Sequence, residues 1–213
     1  MAQLTDLFPY VMPNVEGCPT AVAKHAIRRA IIELCERTSI YKYALPTVNV
    51  VANQDNYVFD IPPGTDIVAP TYVSVNGIQV KATNEEDLDA LDYVWRDATS
   101  KQPEFYYMDY DNTMYLVPTP SEDIVDGLYV EAALKPTMAT ESFPDFLYNN
   151  WSETIAAGTL MRLHAMIGKV WSDPQTVNMH RGQFKAGISR AKSKTMKSFT
   201  RQGKSVQPQS FWD

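Results

Sequence analysis

The sequence predicts an α+β fold: a helical bundle formed by N- and C-terminal helices, with an inserted antiparallel β module and an extended C-terminal tail. Three observations lead there. Apolar residues recur at helical spacing over about 19–38 and again from about 145 onward. Between these stretches, β-branched and aromatic residues come in short runs bounded by Pro, Gly and Asn. Beyond Phe199 all periodicity is lost.

Residues 1–17 form an arm in which Leu7, Phe8, Tyr10 and Val11 are interrupted by Pro9, Pro13 and Gly17. It is apolar enough to pack and too broken for a long helix. Pro19 suits a first helical turn, where a missing N–H costs nothing. Val22, Ala23, Ala26, Ile27, Ala30, Ile31 and Leu34 share one face, with Lys24, Arg28, Arg29, Glu33 and Arg37 mostly away from it, so a helix is expected over about 19–38. Cys18 and Cys35, 17 positions apart and without CxxC spacing, read as small buried apolar residues rather than a zinc pair.

Pro46 ends the helical stretch. Val48, Val50 and Val51, then Tyr57 to Ile61, read as strands. Tyr72 to Val80 is a hairpin around Asn76-Gly77, a pair that tolerates the positive φ angles of a type I′ turn. A short acidic helix follows at about 85–95 with Leu88, Leu91 and Trp95 inward, then strands at Phe105–Tyr110, Thr113–Val117 and Leu128–Leu134, giving about six in all. Helical spacing returns at Ser142-Phe143-Pro144-Asp145. Phe146, Leu147, Trp151, Ile155, Leu160, Leu163 and Ile167 supply the buried stripe of a helix ending near Gly168. Asp173 caps a last helix with Pro174 inside it; Val177, Phe184, Ile188 and Ala191 form its apolar side, and Arg181, Lys185, Arg190, Lys192, Lys194 and Lys197 its basic one. The chain thus divides into an arm and helix (1–45), the inserted β module with its acidic helix (46–140), C-terminal helices of the same helical part (141–198) and a tail (199–213).

Composition narrows the function. Met1 to Met161 carries 9 Lys/Arg against 23 Asp/Glu, a net of −14, whereas Arg162 to Asp213 carries 10 against 2, a net of +8. The overall acidity therefore hides a basic C-terminal quarter. No run approaches the roughly 18 apolar residues of a membrane span, and no secretory signal is visible at the N-terminus, so folding in the cytoplasm is expected and the Asn150-Trp151-Ser152 sequon is idle.

Catalytic signatures are missing: there is no GxxxxGK[ST], GxGxxG or HExxH. His25, His164 and His180 fall on three separate helices and read as surface or interface residues. The Glu85-Glu86-Asp87-Leu88-Asp89 cluster lacks the glycine and spacing of a calcium loop and fits a helix start. Phe105-Tyr106-Tyr107, Tyr110 and Tyr115 have acidic neighbours, so they read as β-core aromatics rather than a stacking platform for nucleic acid. The basic helix leaves three readings open: phosphate binding, docking on an acidic protein surface, or ion pairs with the chain's own acidic part. The Phe211-Trp212 tip is either a contact anchor or an aromatic pair folded back on its own helices.

Several segments together resemble the head-to-tail connector, or adaptor, proteins of tailed bacteriophages. They are the arm followed by Gly17-Cys18-Pro19 and Leu34-Cys35-Glu36-Arg37-Thr38; Leu88 and Leu91 with Trp95-Arg96; Pro103, Phe105 and Tyr106; Met114 to Pro120; and Lys169-Val170-Trp171-Ser172-Asp173-Pro174 followed by Phe184 to Ile188. The resemblance spans nearly the whole chain. It implies a non-catalytic ring subunit, commonly in twelve copies, located at the head–tail junction of the virion and made in the host cytoplasm. Its partners would be further copies of itself, the portal protein, and a tail or nozzle protein, with genomic DNA passing through the channel unread and no membrane or cofactor involved. It further implies that the C-terminal extension wedges between portal subunits, which assigns Phe199, Arg201, Lys204, Phe211 and Trp212 to portal binding. The basic helix, Arg181, Lys185, Arg190, Lys192, Lys194 and Lys197, then faces a neighbouring subunit or the portal. An acidic body suits a DNA conduit, whose negative walls discourage phosphate sticking. A tail-tube, tail-terminator or other neck component, and a nucleic-acid-binding module using the basic region, are the competing assignments.

Overall fold

A computed structural model describes residues 1–91, 94–109 and 111–196, and it is α+β with the N- and C-terminal helices flanking an inserted β module. Strand β1 (Ala2–Gln3) opens the chain, followed by 3-10 turns around a one-turn helix α1 (Phe8–Val11). Helix α2 (Thr20–Thr38) then buries Ala23, Ala26, Ile27, Ala30, Ile31 and Leu34, the apolar face that its periodicity marks out. Pro19 stands one position earlier than expected, as N-cap, its carbonyl accepting from the N–H groups of Val22 and Ala23. Ser39, at φ 49°, ends the helix in the left-handed region. Cys18 and Cys35 are free and buried, and burial pushes the Cys35 thiol up to about 12.

The β module runs through β2 (Lys42–Ala44), β3 (Val48–Val50), β4 (Asn56–Tyr57), β5 (Thr65–Val75), β6 (Ile78–Gln79) and β7 (Lys81–Ala82) to helix α3 (Glu85–Leu91). It continues with β8 (Thr99–Ser100), β9 (Phe105–Met108), β10 (Met114–Val117), β11 (Thr119–Pro120) and the 13-residue β12 (Ile124–Pro136). One sheet is ordered β2-β12-β5-β6 with β3 also on β12; a second is ordered β4-β10-β9-β7. The Asn76-Gly77 turn has φ 51° and 76°, as a type I′ turn requires.

Several details of the module differ from the sequence reading. Strand β5 begins at Thr65, seven residues before the hairpin expected from Tyr72, because Pro70 sits beside a register shift and on a stretch that, among the described residues, pairs with β12 alone. The module is not wholly antiparallel: β7 runs parallel to β9, and β8 to β11. The β7–β9 pair is parallel because the chain between them crosses over through α3. The strand expected over Tyr57–Ile61 is paired only at Asn56–Tyr57.

After β13 (Ser142–Phe143), which pairs with β1, come α4 (Asp145–His164) and α5 (Pro174–Met196). Helix α4 ends at His164, not near Gly168. The His164 carbonyl accepts from Asp173 N–H and Ser172 Oγ, and this closes the turn early. Ile167 consequently lies in the connecting turn at 90% exposure rather than on the buried stripe. Two cores result. Helices α2, α4 and α5 with the arm enclose Leu7, Ile27, Leu34, Phe143, Leu147, Ile155, Leu163 and Phe184. The facing sheets enclose Tyr57, Val73, Val75, Tyr106, Met114, Leu116, Leu128 and Leu134.

Candidate functional site

The α4–α5 hairpin carries the basic surface. Asp173 Oδ1 accepts from the Gln175 N–H at 3.1 Å, so it caps α5 as its position suggests. Val177, Phe184, Ile188 and Ala191 are buried, as expected. Two glycines set the depth of the contact: a Cβ on Gly158 would stand 2.7 Å from the Phe184 ring, and one on Gly187 2.3 Å from the Thr154 side chain. Arg162 lies over Phe184 at 5.6 Å and pairs with Glu33 of α2, tying three helices together.

With that face spent on packing, Arg181, Lys185, Arg190, Lys192 and Lys194 point to solvent. At 100° per residue, Arg181, Lys185 and Lys192 fall in one row, spanning about 16 Å along the axis. Arg190 and Lys194 form a second row on the other flank, where Lys194 stands 5.3 Å above the Trp151 ring. Among the described residues none of these five cations pairs with a carboxylate, so the reading as internal ion pairs finds no support there. Lys197, Phe199, Arg201, Lys204, Phe211 and Trp212 lie outside the described residues.

The histidines form no catalytic pair. His25 is on the exposed face of α2. His164 and His180 stack across α4 and α5 with centroids 5.4 Å apart and planes at 15°, a pairing hidden in the sequence because it arises from helix–helix packing. Neither ring nitrogen of His164 has a hydrogen-bond partner among the described residues, so no hydroxyl or carboxylate is poised against it. Burial, and then the neighbouring His180, hold His164 below its ordinary pKa, with Asp173 opposing. The unfolded chain therefore binds this proton more readily than the folded one. Stability is complete above the unfolded value of about 6.5 and is lost as pH falls from there through the lowered folded value. Thermal melting at pH 7.5 and 5.5 is expected to show a lower midpoint in acid, with the difference shrinking in His164→Phe; an unchanged difference in that variant would remove His164 as its source.

The opposite character gathers on the outer face of the second sheet. Tyr106 points into the core, but its neighbour Tyr107 points outward and stacks on Tyr115, centroids 4.8 Å apart and planes at 7°. These two are therefore not buried in the main β core, as the aromatic run suggests; Tyr110 lies outside the described residues. Trp95 meets Tyr107 edge-on at 6.0 Å, donates from Nε1 to Asp89 Oδ1 at 2.8 Å, and carries the Arg96 guanidinium 4.3 Å above its ring. Leu88 and Trp95 are buried with Val117, as the acidic helix predicts. Tyr107 and Tyr115 line an open cleft of about 520 Å³ with Thr83, Asn84, Glu85 and Glu86. Burial first, and then Glu85, Tyr115 and Asp55, push the Tyr107 hydroxyl up to about 12. A face so negative repels phosphate. The Glu85–Asp89 cluster serves structure as well: Asn84 Oδ1 accepts from Asp87 N–H, and Asp89 holds Trp95 and Arg96. Among the described residues no group of three or more His, Cys, Asp or Glu could hold a metal.

Compared with known protein families, residues 6–206 match the profile described as SU10 adaptor protein. A search of the curated proteins finds no match.

Proposed function

Since the chain belongs to the SU10 adaptor protein family, the phage head-to-tail connectors, it is a structural virion protein of the head–tail junction, and we propose that it assembles there as a ring beneath the portal. Membership carries interaction with portal and tail components and a non-catalytic role. The ring reading adds copies side by side, commonly twelve, around a channel through which DNA passes unread, with synthesis in the host cytoplasm before assembly.

The observation that carries the proposal is the exposed, uncompensated basic face of α5, which leads directly into the basic, aromatic-tipped tail. Cations that pair with no carboxylate among the described residues are available to an external acidic surface, and an aromatic anchor suits crevices in a partner ring. We assign portal engagement to Phe199, Arg201, Lys204, Phe211 and Trp212.

Removing residues 200–213 tests this assignment. Co-sedimentation with purified portal is expected to weaken by at least about thirtyfold, the effect of losing one buried aromatic anchor. Attachment equal to that of the full chain would overturn the assignment of the tail as anchor. The same cations would also suit phosphate, so a gel shift with duplex DNA at two salt concentrations discriminates: a shift that collapses with salt would favour the nucleic-acid reading.

A further inference from the structure

A closed ring of more than two subunits needs a heterologous contact, in which one surface of a copy meets a different surface of the next. The chain presents two such surfaces of opposite sign. One is the Arg181, Lys185 and Lys192 row on α5. The other is the cleft between α3 and the Tyr107–Tyr115 stack, rimmed by Glu85 and Glu86. Helix α5 packs on α4 and α2, while the cleft belongs to the second sheet, and no ion pair joins them within one copy among the described residues.

The surface of this face already holds one cation of its own. Arg96 lies on Trp95 and pairs with Asp89 at 2.7 Å, so a guanidinium is held between an aromatic face and a carboxylate. Trp95 meets Tyr107, and Tyr107 stacks on Tyr115, which lines the open cleft. Asp109, Asp111, Asp55 and Glu85 all act on the Tyr115 hydroxyl, and with burial as the larger cause they raise its pKa. The ladder of rings thus carries a cation at its Trp95 end and opens at its Tyr115 end into a negatively charged cleft of about 520 Å³.

Resting on the ring reading above, we infer that the acidic, tyrosine-lined cleft of one subunit receives the Arg181–Lys185–Lys192 row of the next. This assigns the basic helix to the subunit–subunit contact and leaves the tail to the portal. The occupant is a second copy because the complementary charge is present on this same chain, on an element with no competing ion pair among the described residues.

Sedimentation velocity of the full chain, at low and high salt, tests the inference with two charge-reversed variants. The wild type is expected to self-associate at low salt and to dissociate as salt rises. Arg181→Glu/Lys185→Glu/Lys192→Glu and Glu85→Lys/Glu86→Lys should each remain monomeric, and an equimolar mixture of the two should regain association. Circular dichroism checks that both remain folded. Tyr115→Leu, which keeps the charges, should weaken association about threefold to thirtyfold. The inference is overturned if either variant associates like the wild type, if the mixture fails to recover, or if the wild type stays monomeric at every salt concentration. A cleft variant that self-associates normally but no longer binds the tail component would give the cleft to that partner instead. Portal co-sedimentation separates this result from the ring reading: failure of the self-association tests with tail-dependent attachment to the portal intact would refute the subunit contact alone, and loss of both would remove the ring reading with it.

Discussion

Replacing Phe184 with alanine is expected to destabilise the helical half by about 3–5 kcal/mol. Its ring is 2% exposed and fills the space that Gly158 leaves open on α4, beneath the Arg162 guanidinium. Little nearby can collapse into the cavity. Gly158 has no side chain, and Arg162 is held by Glu33 and by the Gly158 carbonyl. The converse change, Gly158→Val, should fail for the opposite reason, since its Cβ already collides with the Phe184 ring. Urea unfolding measures both, with Lys185→Ala, on the exposed face, expected to stay within about 0.5 kcal/mol of the wild type. A loss below about 1 kcal/mol for Phe184→Ala would mean that α5 is not seated through this ring.

Trp95→Ala is the second large effect, and it should be local. The cluster beneath α3 consists of Leu88, Trp95 and Val117, with Phe105 and Tyr107 packed against it. Taking the indole away removes the largest member, the hydrogen bond to Asp89, the ring under Arg96 and the edge contact to Tyr107. About 3–5 kcal/mol follows from truncating a buried tryptophan. A seven-residue helix has no means of persisting alone. Hydrogen exchange is expected to rise over 85–91 to nearly the rate of an open peptide, while β12 and α4 keep their protection. Protection retained in α3 would show that the helix has other support. Because Glu85 and Glu86 ride on α3, the variant should also lose the acidic cleft.

The legible parts of the fold are those where local chemistry and tertiary packing ask for the same residues. The face of α2, the Asn76-Gly77 turn and the Asp173-Pro174 start of α5 are of this kind. Where the two diverge, the sequence misleads. The hairpin strand is expected only from Tyr72, yet β5 runs back through Pro70 to Thr65, where a register shift against β12 accommodates the proline. Ile167 continues an apolar periodicity past the end of α4 and is solvent-exposed, because capping by Ser172 and Asp173 stops the helix first.

The basic face of α5 was readable by counting, since a helix with one packed side must present its remaining residues outward. The acidic cleft was only half readable. Alternation along β9 separates Tyr106 from Tyr107, but the Tyr107–Tyr115 stack requires the β9–β10 register, which no local pattern supplies. The His164–His180 stack is more remote still, because its two residues come from different helices brought side by side.

Strand β12 has a mechanical consequence. It pairs with β2, β3 and β5, its Leu134 N–H donates to the Tyr41 carbonyl just after α2, and Lys135 pairs with Glu36 on α2. Just beyond it, Arg28 and Lys24 grip Glu141, and the Arg28 Nε–H also donates to the Thr140 carbonyl. The two crossings between the halves are thus stapled to one helix within a few residues of each other. Swinging the sheets away from the helices would require these contacts to break together. A subunit tied in this way is expected to move as one piece, so that hydrogen exchange at the two crossings should be as slow as in α2 itself.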